Sequence, residues 1–332
     1  MTYKLFTYLT VFAVALLSAG RLDAQVVRLP PVVAEEENPV LLASHPDSAA
    51  EAILAPGKVE VVQDPDRPRD ARPGMFQKLV FNGSWLAGGE EDHFGISRLE
   101  AKTILALPIP SRRWPMIITP GFAVNYLHGP NSSDLPPRVY DAYTQFRWMR
   151  RLTPRLGIDL AVTPGVFSDF EQSTDEAIRI PGHGAALWEW TPKVKVLLGV
   201  AYLDRDDVPM LPIAGLIWQP HDDIKYELTF PRPRIARRVY LWGAYGEDVE
   251  DWVYISGELG GGTWAIARTD GTNDVFNYRD YRLILGVQRK VLWGLDRHLE
   301  IGYIFGRKIE YESSTPDIFP NDTVMIRGGL TY

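Results

Sequence analysis

From residue 76 onward the chain is a succession of short segments in which apolar and polar residues alternate. Leu156, Ile158, Leu160 and Val162 form one such series. Val194, Val196, Leu198, Val200 and Tyr202 form another, as do Ile224, Tyr226, Leu228 and Phe230, and Leu299, Ile301, Tyr303 and Phe305. Between them stand Asp159, Lys195, Lys225, Glu227 and Glu300. A period of two puts the first set on one face of a strand and the second on the other. Alternation alone suits a soluble sandwich as well as a barrel. The last segment, Asp322 to Tyr332, is more demanding. Val324, Ile326, Leu330 and Tyr332 share one face with Gly328 between them; Met325, Arg327, Gly329 and Thr331 share the other. A strand that runs to the end of the chain needs a neighbour for its backbone groups, and a closed ring supplies one. The expectation is an all-β, transmembrane, antiparallel up-and-down barrel.

Strands are expected near 76–87, 93–107, 114–127, 139–152, 154–168, 176–190, 193–204, 210–219, 223–230, 236–246, 252–268, 276–290, 297–312 and 322–332. That is fourteen, an even number as in single-chain bacterial barrels, with twelve the alternative. Several match the ~9–11 residues that cross a bilayer at a tilt. Tight turns are expected at Thr153-Pro154, Thr191-Pro192 and His221-Asp222. Longer polar loops alternate with them, such as Gly129 to Arg138 and Ser313 to Asn321. This asymmetry puts the tight set in the periplasm and the long set outside. The chain holds 10 Trp, 15 Tyr and 13 Phe. Trp114, Trp148, Trp188, Trp190, Trp218, Trp252, Trp293 and Tyr332 fall at the tight-turn ends and form an expected periplasmic belt. Trp85, Tyr126, Tyr140, Tyr202, Phe230, Tyr278 and Tyr311 form the external one. The competing reading scatters these rings through a soluble β-core.

The N-terminus has the pattern of a secretory signal. Lys4 precedes an apolar stretch from Leu5 to Ala19, and Leu22-Asp23-Ala24 forms a cleavage site before Gln25. The alternative is a retained anchor, but the stretch falls short of the ~20 residues a helical span needs. Residues 25–75, with Pro30-Pro31, Glu35-Glu36-Glu37 and Asp64-Pro65-Asp66, read as a flexible periplasmic lead-in, with a lumenal plug as the alternative. The barrel then occupies 76–332. Loss of residues 1–24 removes Lys4, Arg21 and Asp23, a net +1, so the formal charge of −7 becomes −8. Such a chain is a poor nucleic-acid binder. It has no Cys, which excludes disulfides, thiol catalysis, thiolate-bound metal and lipid attachment through Cys.

Leu211-Pro212-Ile213-Ala214-Gly215-Leu216-Ile217-Trp218-Gln219-Pro220-His221-Asp222-Asp223 leads to Leu228-Thr229-Phe230-Pro231-Arg232-Pro233-Arg234-Ile235. This strand–turn–strand resembles a bacterial family of outer-membrane β-barrels classed as a domain of unknown function. The resemblance covers roughly residues 75–332. It implies a barrel and an outer-membrane location, and no activity. Physically the hairpin makes sense: a belt Trp, a Pro-fixed turn and turn-favouring acids, then a stiff Pro-rich external loop. The partners expected of such a barrel are outer-membrane lipid and lipopolysaccharide, small solutes and, through the C-terminal strand, the barrel-assembly machinery.

No constellation demands an enzyme, a metal or another cofactor. The six His stand in no HExxH or GxSxG-type setting. His93 after Glu90-Glu91-Asp92, and His128, are the candidates for an external rim hydrolase. Acids at Asp204, Asp206, Asp207, Asp270 and Asp274 could gather a hard cation but read first as solvated loop charge. Gly260-Gly261-Gly262 marks a bulge or bend rather than a phosphate loop. The inward face is the strongest functional lead. Alternation aims Arg98, Glu100, Lys102, Arg147, Asp159, Glu189, Lys195, Lys225, Glu227, Arg282, Glu300 and Arg327 at the lumen. On the lipid face an Arg or Lys would cost ~2–4 kcal/mol at the midplane. These charges either line a pore for small solutes or pair and close the lumen of a non-conducting structural or adhesion barrel. Arg327 lies by the closing seam, where Asn82 or Ser84 is expected opposite.

Overall fold

The structure is a computed structural model and describes residues 72, 74–88, 94–111, 114–130, 134–171, 175–205, 207–239, 249–313 and 315–332. The expected signal segment and nearly all of the expected lead-in lie outside the described residues, as do Glu90, Glu91, Asp92, His93 and Asp206. Sixteen strands follow in order: β1 Phe76–Leu86, β2 Gly95–Pro110, β3 Pro115–His128, β4 Arg138–Thr153, β5 Leu156–Val162, β6 Gly165–Ser168, β7 Ile178–Arg179, β8 Gly182–Thr191, β9 Val194–Tyr202, β10 Met210–His221, β11 Ile224–Phe230, β12 Arg234–Val239, β13 Val249–Ala267, β14 Asn273–Val291, β15 Asp296–Tyr311 and β16 Thr323–Thr331. A single turn of 3-10 helix, Asp175–Ala177, precedes β7.

Fourteen of these strands form an antiparallel ring. Each pairs with its neighbour in sequence, except that β5 pairs with β8 across the β6–β7 insertion, and β1 pairs with β16 to close the circle. At that seam Ser84 stands opposite Arg327 and Asn82 opposite Gly329. Two-residue turns join β4 to β5, β8 to β9 and β10 to β11, and the other end of the ring carries mostly longer connections.

Two of the expected strands are shorter than read. Instead of running through 154–168 and 176–190, the wall stops at Val162 and resumes at Gly182. Pro164 and Pro181 sit at the breaks. Neither can donate to a ladder, so the regular pairing ends there. Their carbonyls still accept, from Thr144 N–H at 3.0 Å and Thr163 N–H at 2.7 Å. Beyond them β6 pairs with Tyr140–Tyr143 of β4 on one edge and with β7 on the other. Ser168 then bridges to Ala265 of β13. Strands β4 and β13 are seven steps apart in either direction around the ring, so this hairpin end spans the barrel mouth.

The outward face is apolar and uncovered. Leu99 is 58 % exposed and Leu285 59 %, with Phe122, Leu160, Leu198, Leu216, Leu228, Ile255 and Ile301 likewise exposed around the circumference. A soluble monomer does not present so extended an apolar girdle to water. Trp188, Trp190, Trp218, Trp293 and Tyr332 are exposed at the tight-turn end, and Trp114 and Trp148 are half-buried there. Trp252 departs from the expected belt. It is only 6 % exposed and packs with Ala236 and Tyr254 on the inner face, because β13 turns Glu250, Trp252 and Tyr254 inward and leaves Ile255 outward. Tyr278 and Tyr311, expected in the external belt, are also buried inside.

Those two rings belong to an apolar cluster within the outer part of the barrel. Phe94, Phe167, Trp264, Phe276, Tyr278, Ile309 and Tyr311 are among its members. Phe94 meets Tyr278 edge-on at 5.2 Å, and Trp264 stacks on Phe276 at 5.5 Å. Burying an aromatic side chain of this size contributes about 1.5–3 kcal/mol. The cluster therefore closes the mouth with the same force that holds an ordinary protein core.

Candidate functional site

The charged interior is the candidate site, and glycines shape it. Gly121 of β3 lies opposite Tyr143 of β4, and Gly286 of β14 lies opposite Tyr254 of β13. A Cβ on Gly121 would meet the Tyr143 ring at 2.4 Å, and one on Gly286 the Tyr254 ring at 2.3 Å. With hydrogen in that place, each tyrosine lies flat across its neighbouring strand. Its hydroxyl then reaches a glutamate two strands away. Tyr143 Oη donates to Glu100 Oε1 at 2.8 Å, and Tyr254 Oη to Glu300 Oε1 at 2.5 Å.

Around Glu100 the inner wall forms one network. Arg98 bonds Glu100 at 3.1 Å, Asn125 at 2.9 Å and Asp141 at 2.5 Å. Lys102 lies 3.4 Å from Glu100, and Asn82 Nδ2 donates to it at 3.1 Å. Around Glu300 a second network forms. Arg327 binds Glu300 through Nε and Glu258 through both terminal nitrogens, at 3.2 and 3.0 Å. Arg282 reaches Glu258 at 3.3 Å and Asp280 at 2.7 Å, and Arg232 lies 3.5 Å from Glu258. Ser84 faces Arg327 in the backbone register, but the guanidinium turns to these two acids instead.

The remaining expected residues fall into separate groups. Arg147 holds Asp159 through two bonds of 2.8 and 3.0 Å, and His183 Nε2 meets the same carboxylate at 3.0 Å. Lys225 pairs with Glu227 at 2.7 Å, and Lys195 is buried on β9. Glu189 stands apart from the others. It sits near the tight-turn end, partly exposed, 3.4 Å from Arg151.

Several interior groups went unread in the sequence. Asp141 and Tyr143 share the phase of Arg147, and Glu258 that of Tyr254, so alternation carried a signal for them. Arg307 offered none, because β15 shifts phase at Gly306, whose φ is +60°. Arg307 lies inside, donating to Tyr278 Oη and Asn321 O at 2.9 Å and to Phe94 O. The most consequential miss is Trp264. Its indole N–H donates to Asp141 Oδ1 at 2.6 Å, from β13 to the diametrically placed β4. Beside it, Asp169 N–H donates to Ala265 O at 3.2 Å, and Asp169 Oδ2 accepts from Ala267 N–H at 2.7 Å.

The rim at the long-loop end is plainer. His128 Nε2 lies 3.4 Å from Ser97 Oγ. Asp204 accepts from Tyr202 Oη and Ile180 N–H, Asp207 binds Arg205, and Asp274 binds Arg268 and Ser313. Asp270 is held below the usual carboxylate range by bonds from the hydroxyl and N–H of Thr272. Among the described residues these acids do not converge with His or other acids into a metal-holding group.

No family model matches the chain, and no curated protein matches it. The family resemblance therefore rests on the β10–β12 residues alone. Solved structures with a similar course include a bacterial polysaccharide outer membrane secretin, with TM-score 0.40 and 11 % identity over 77 % of this chain and 97 % of that one. The KdgM porin gives TM-score 0.33 and 8 % identity over 77 % and 98 %. The outer membrane protein OpdK from Pseudomonas aeruginosa gives 0.29 and 11 % over 77 % and 97 %. Superpositions this loose carry no weight for function, which has to be argued from the interior itself.

Proposed function

We propose that this chain is an outer-membrane β-barrel pore or transporter for small solutes, held with its external mouth shut. The uncovered apolar girdle needs hydrocarbon around it, and a closed ring leaves no unpaired strand edge there. The tight-turn end then faces the periplasm. One observation carries the pore reading. Charges line the wall through most of its height, whereas the outer part is filled by an apolar cluster of ring residues that a hairpin end, Phe167 to Asp169, bridges by reaching β13. Buried ion pairs are a weak source of stability, so a permanently dry scaffold would be as well served by apolar side chains. A wall that solutes must wet needs the charges, and a hairpin end can move without breaking the ring.

The test is conductance of the purified, folded full chain in planar lipid bilayers. The wild type should open rarely, and Trp264→Ala should raise the open fraction several-fold by removing the contact with Asp141. If neither protein conducts while both keep the heat-modifiable gel shift of a folded barrel, the pore reading fails. The cross-barrel contact of Trp264 favours a second reading for that outcome. The barrel would then be a non-conducting scaffold whose external loops bind lipopolysaccharide or another partner. The rim-hydrolase reading gains nothing from the geometry, since among the described residues no carboxylate bonds the Ser97–His128 pair.

A further inference from the structure

On the wall formed by β11 to β14, cations outnumber acids. Lys225, Arg234, Arg238 and Lys290 gather there with Glu227, Glu250 and, at the start of β15, Asp296, while the buried Asp251 beside Glu250 lies 3.6 Å from Arg289. Each acid is already engaged. Glu227 holds Lys225 at 2.7 Å. Glu250 holds Arg238 at 3.4 Å and the Trp252 indole N–H at 2.9 Å. Asp296 accepts from Val291 N–H at 2.6 Å.

Two cationic groups keep donors without an acceptor. Lys290 is only 6 % exposed, and its ammonium makes no hydrogen bond or ion pair among the described residues; Arg234 and Lys225 repel it, and Glu250 and Asp296 attract it without touching it. Arg234 is 8 % exposed, and its Nε, buried, has no hydrogen-bond partner. Its terminal nitrogen donates only to the neutral Gln288 Oε1, at 3.2 Å. The guanidinium is fixed 3.8 Å above the Tyr254 ring, which Gly286 allows to lie flat. Buried N–H groups without acceptors are costly, and two cations on one wall with donors to spare invite a group that brings acceptor oxygens.

We propose that this wall is a binding site for a small oxyanion, a solute presenting carboxylate or phosphate oxygens to Lys290 and Arg234. The planar guanidinium offers its N–H groups in a fixed fork, the ammonium is a point charge beside it, and together they suit a compact group with two or more acceptor oxygens. The engaged carboxylates of Glu227 and Glu250 hold the flanking cations in place and set a limit on how much negative charge the site takes. The proposal gives the pore its class of solute, and rests on that reading only for the solute's route.

The test is binding in detergent solution, which requires no conductance. The full chain is titrated with inorganic phosphate and with succinate by calorimetry, against sodium chloride at equal ionic strength. Saturable binding of at least one of the two is expected from the wild type and, within a few-fold, from Lys290→Arg. Lys290→Met should weaken it about ten- to a hundred-fold, the loss of one charge-assisted bond. Lys193→Met, which removes the same charge from an exposed turn, should leave it unchanged. A wild type that binds neither anion beyond chloride overturns the proposal, and so does Lys290→Met binding as tightly as Lys193→Met. Binding without conductance would sink the pore and spare this site. Conductance without binding would do the reverse.

Discussion

Glu258 is the position where the burial of the inner-wall charges can be tested most directly. Its carboxylate lies 3.0 Å from Arg327, 3.3 Å from Arg282 and 3.5 Å from Arg232, all within the ring. At an effective dielectric of about 20, each contact of this length is worth roughly 5 kcal/mol before desolvation. Glu258→Gln keeps the shape and removes the charge, leaving three guanidiniums facing one another. Arg327 retains Glu300 and Arg282 retains Asp280, so the loss is partial. Breaking a buried pair of this kind costs about 3–5 kcal/mol. Glu189→Gln removes the same charge from the partly exposed pair with Arg151 and should cost under ~1 kcal/mol. Reversible urea unfolding of both variants in lipid vesicles, followed by tryptophan fluorescence, measures the difference. If Glu258→Gln costs no more than Glu189→Gln, water screens the three arginines, and the account of a closed interior is wrong.

Three further outcomes follow from the same geometry. Gly286→Ala places a Cβ where the Tyr254 ring lies, so Tyr254 must leave Glu300, at a cost of about 2–3 kcal/mol. Tyr254→Ala with Gly286→Ala should be scarcely less stable than Tyr254→Ala alone, and additive losses in vesicle unfolding would refute the packing argument. Gly261→Ala puts a Cβ 1.9 Å from the Tyr278 carbonyl at a φ of +117°, a strain no side-chain motion relieves. That chain should lose the gel shift of the folded barrel; normal assembly would show that β13 bends otherwise. Asp169→Ala removes the carboxylate bonded by Ala267 N–H, and should raise proteolysis at the external end while the denaturant midpoint of the ring moves little.

The ring was legible because it is built from a local rule. Leu156 to Val162, Val194 to Tyr202 and Leu299 to Phe305 alternate in sequence and alternate in the wall, and fourteen strands are found where the turns divide them. The seam register, with Ser84 across from Arg327, follows from the same rule. What eluded it was non-local. Gly165 to Ser168 has the alternation of a wall strand, and only Pro164 and Pro181 hinted that the hairpin would leave the wall. Trp252 looked like a belt residue by its place near a strand end, yet the phase set by Glu250 and Tyr254 turns it inward. Alternation assigns Arg98, Glu100 and Glu300 to a face but says nothing of what stands across the ring. For that reason Asp141 and Trp264, 123 residues apart, could not be paired in advance.

That pair has a mechanical meaning. A bare cylinder of strands resists stretching along its ladders far better than squashing, because a change from round to oval breaks no hydrogen bond. A bond of 2.6 Å between β4 and β13 ties two opposite walls together, as a spoke ties a rim. The cross-section of this barrel is thus set by one indole and one carboxylate as well as by the number of its strands. Lateral pressure from the surrounding lipid, which a spokeless ring would absorb as shape, here acts as tension on this contact and on the Asp169 bonds to Ala265 and Ala267 beside it.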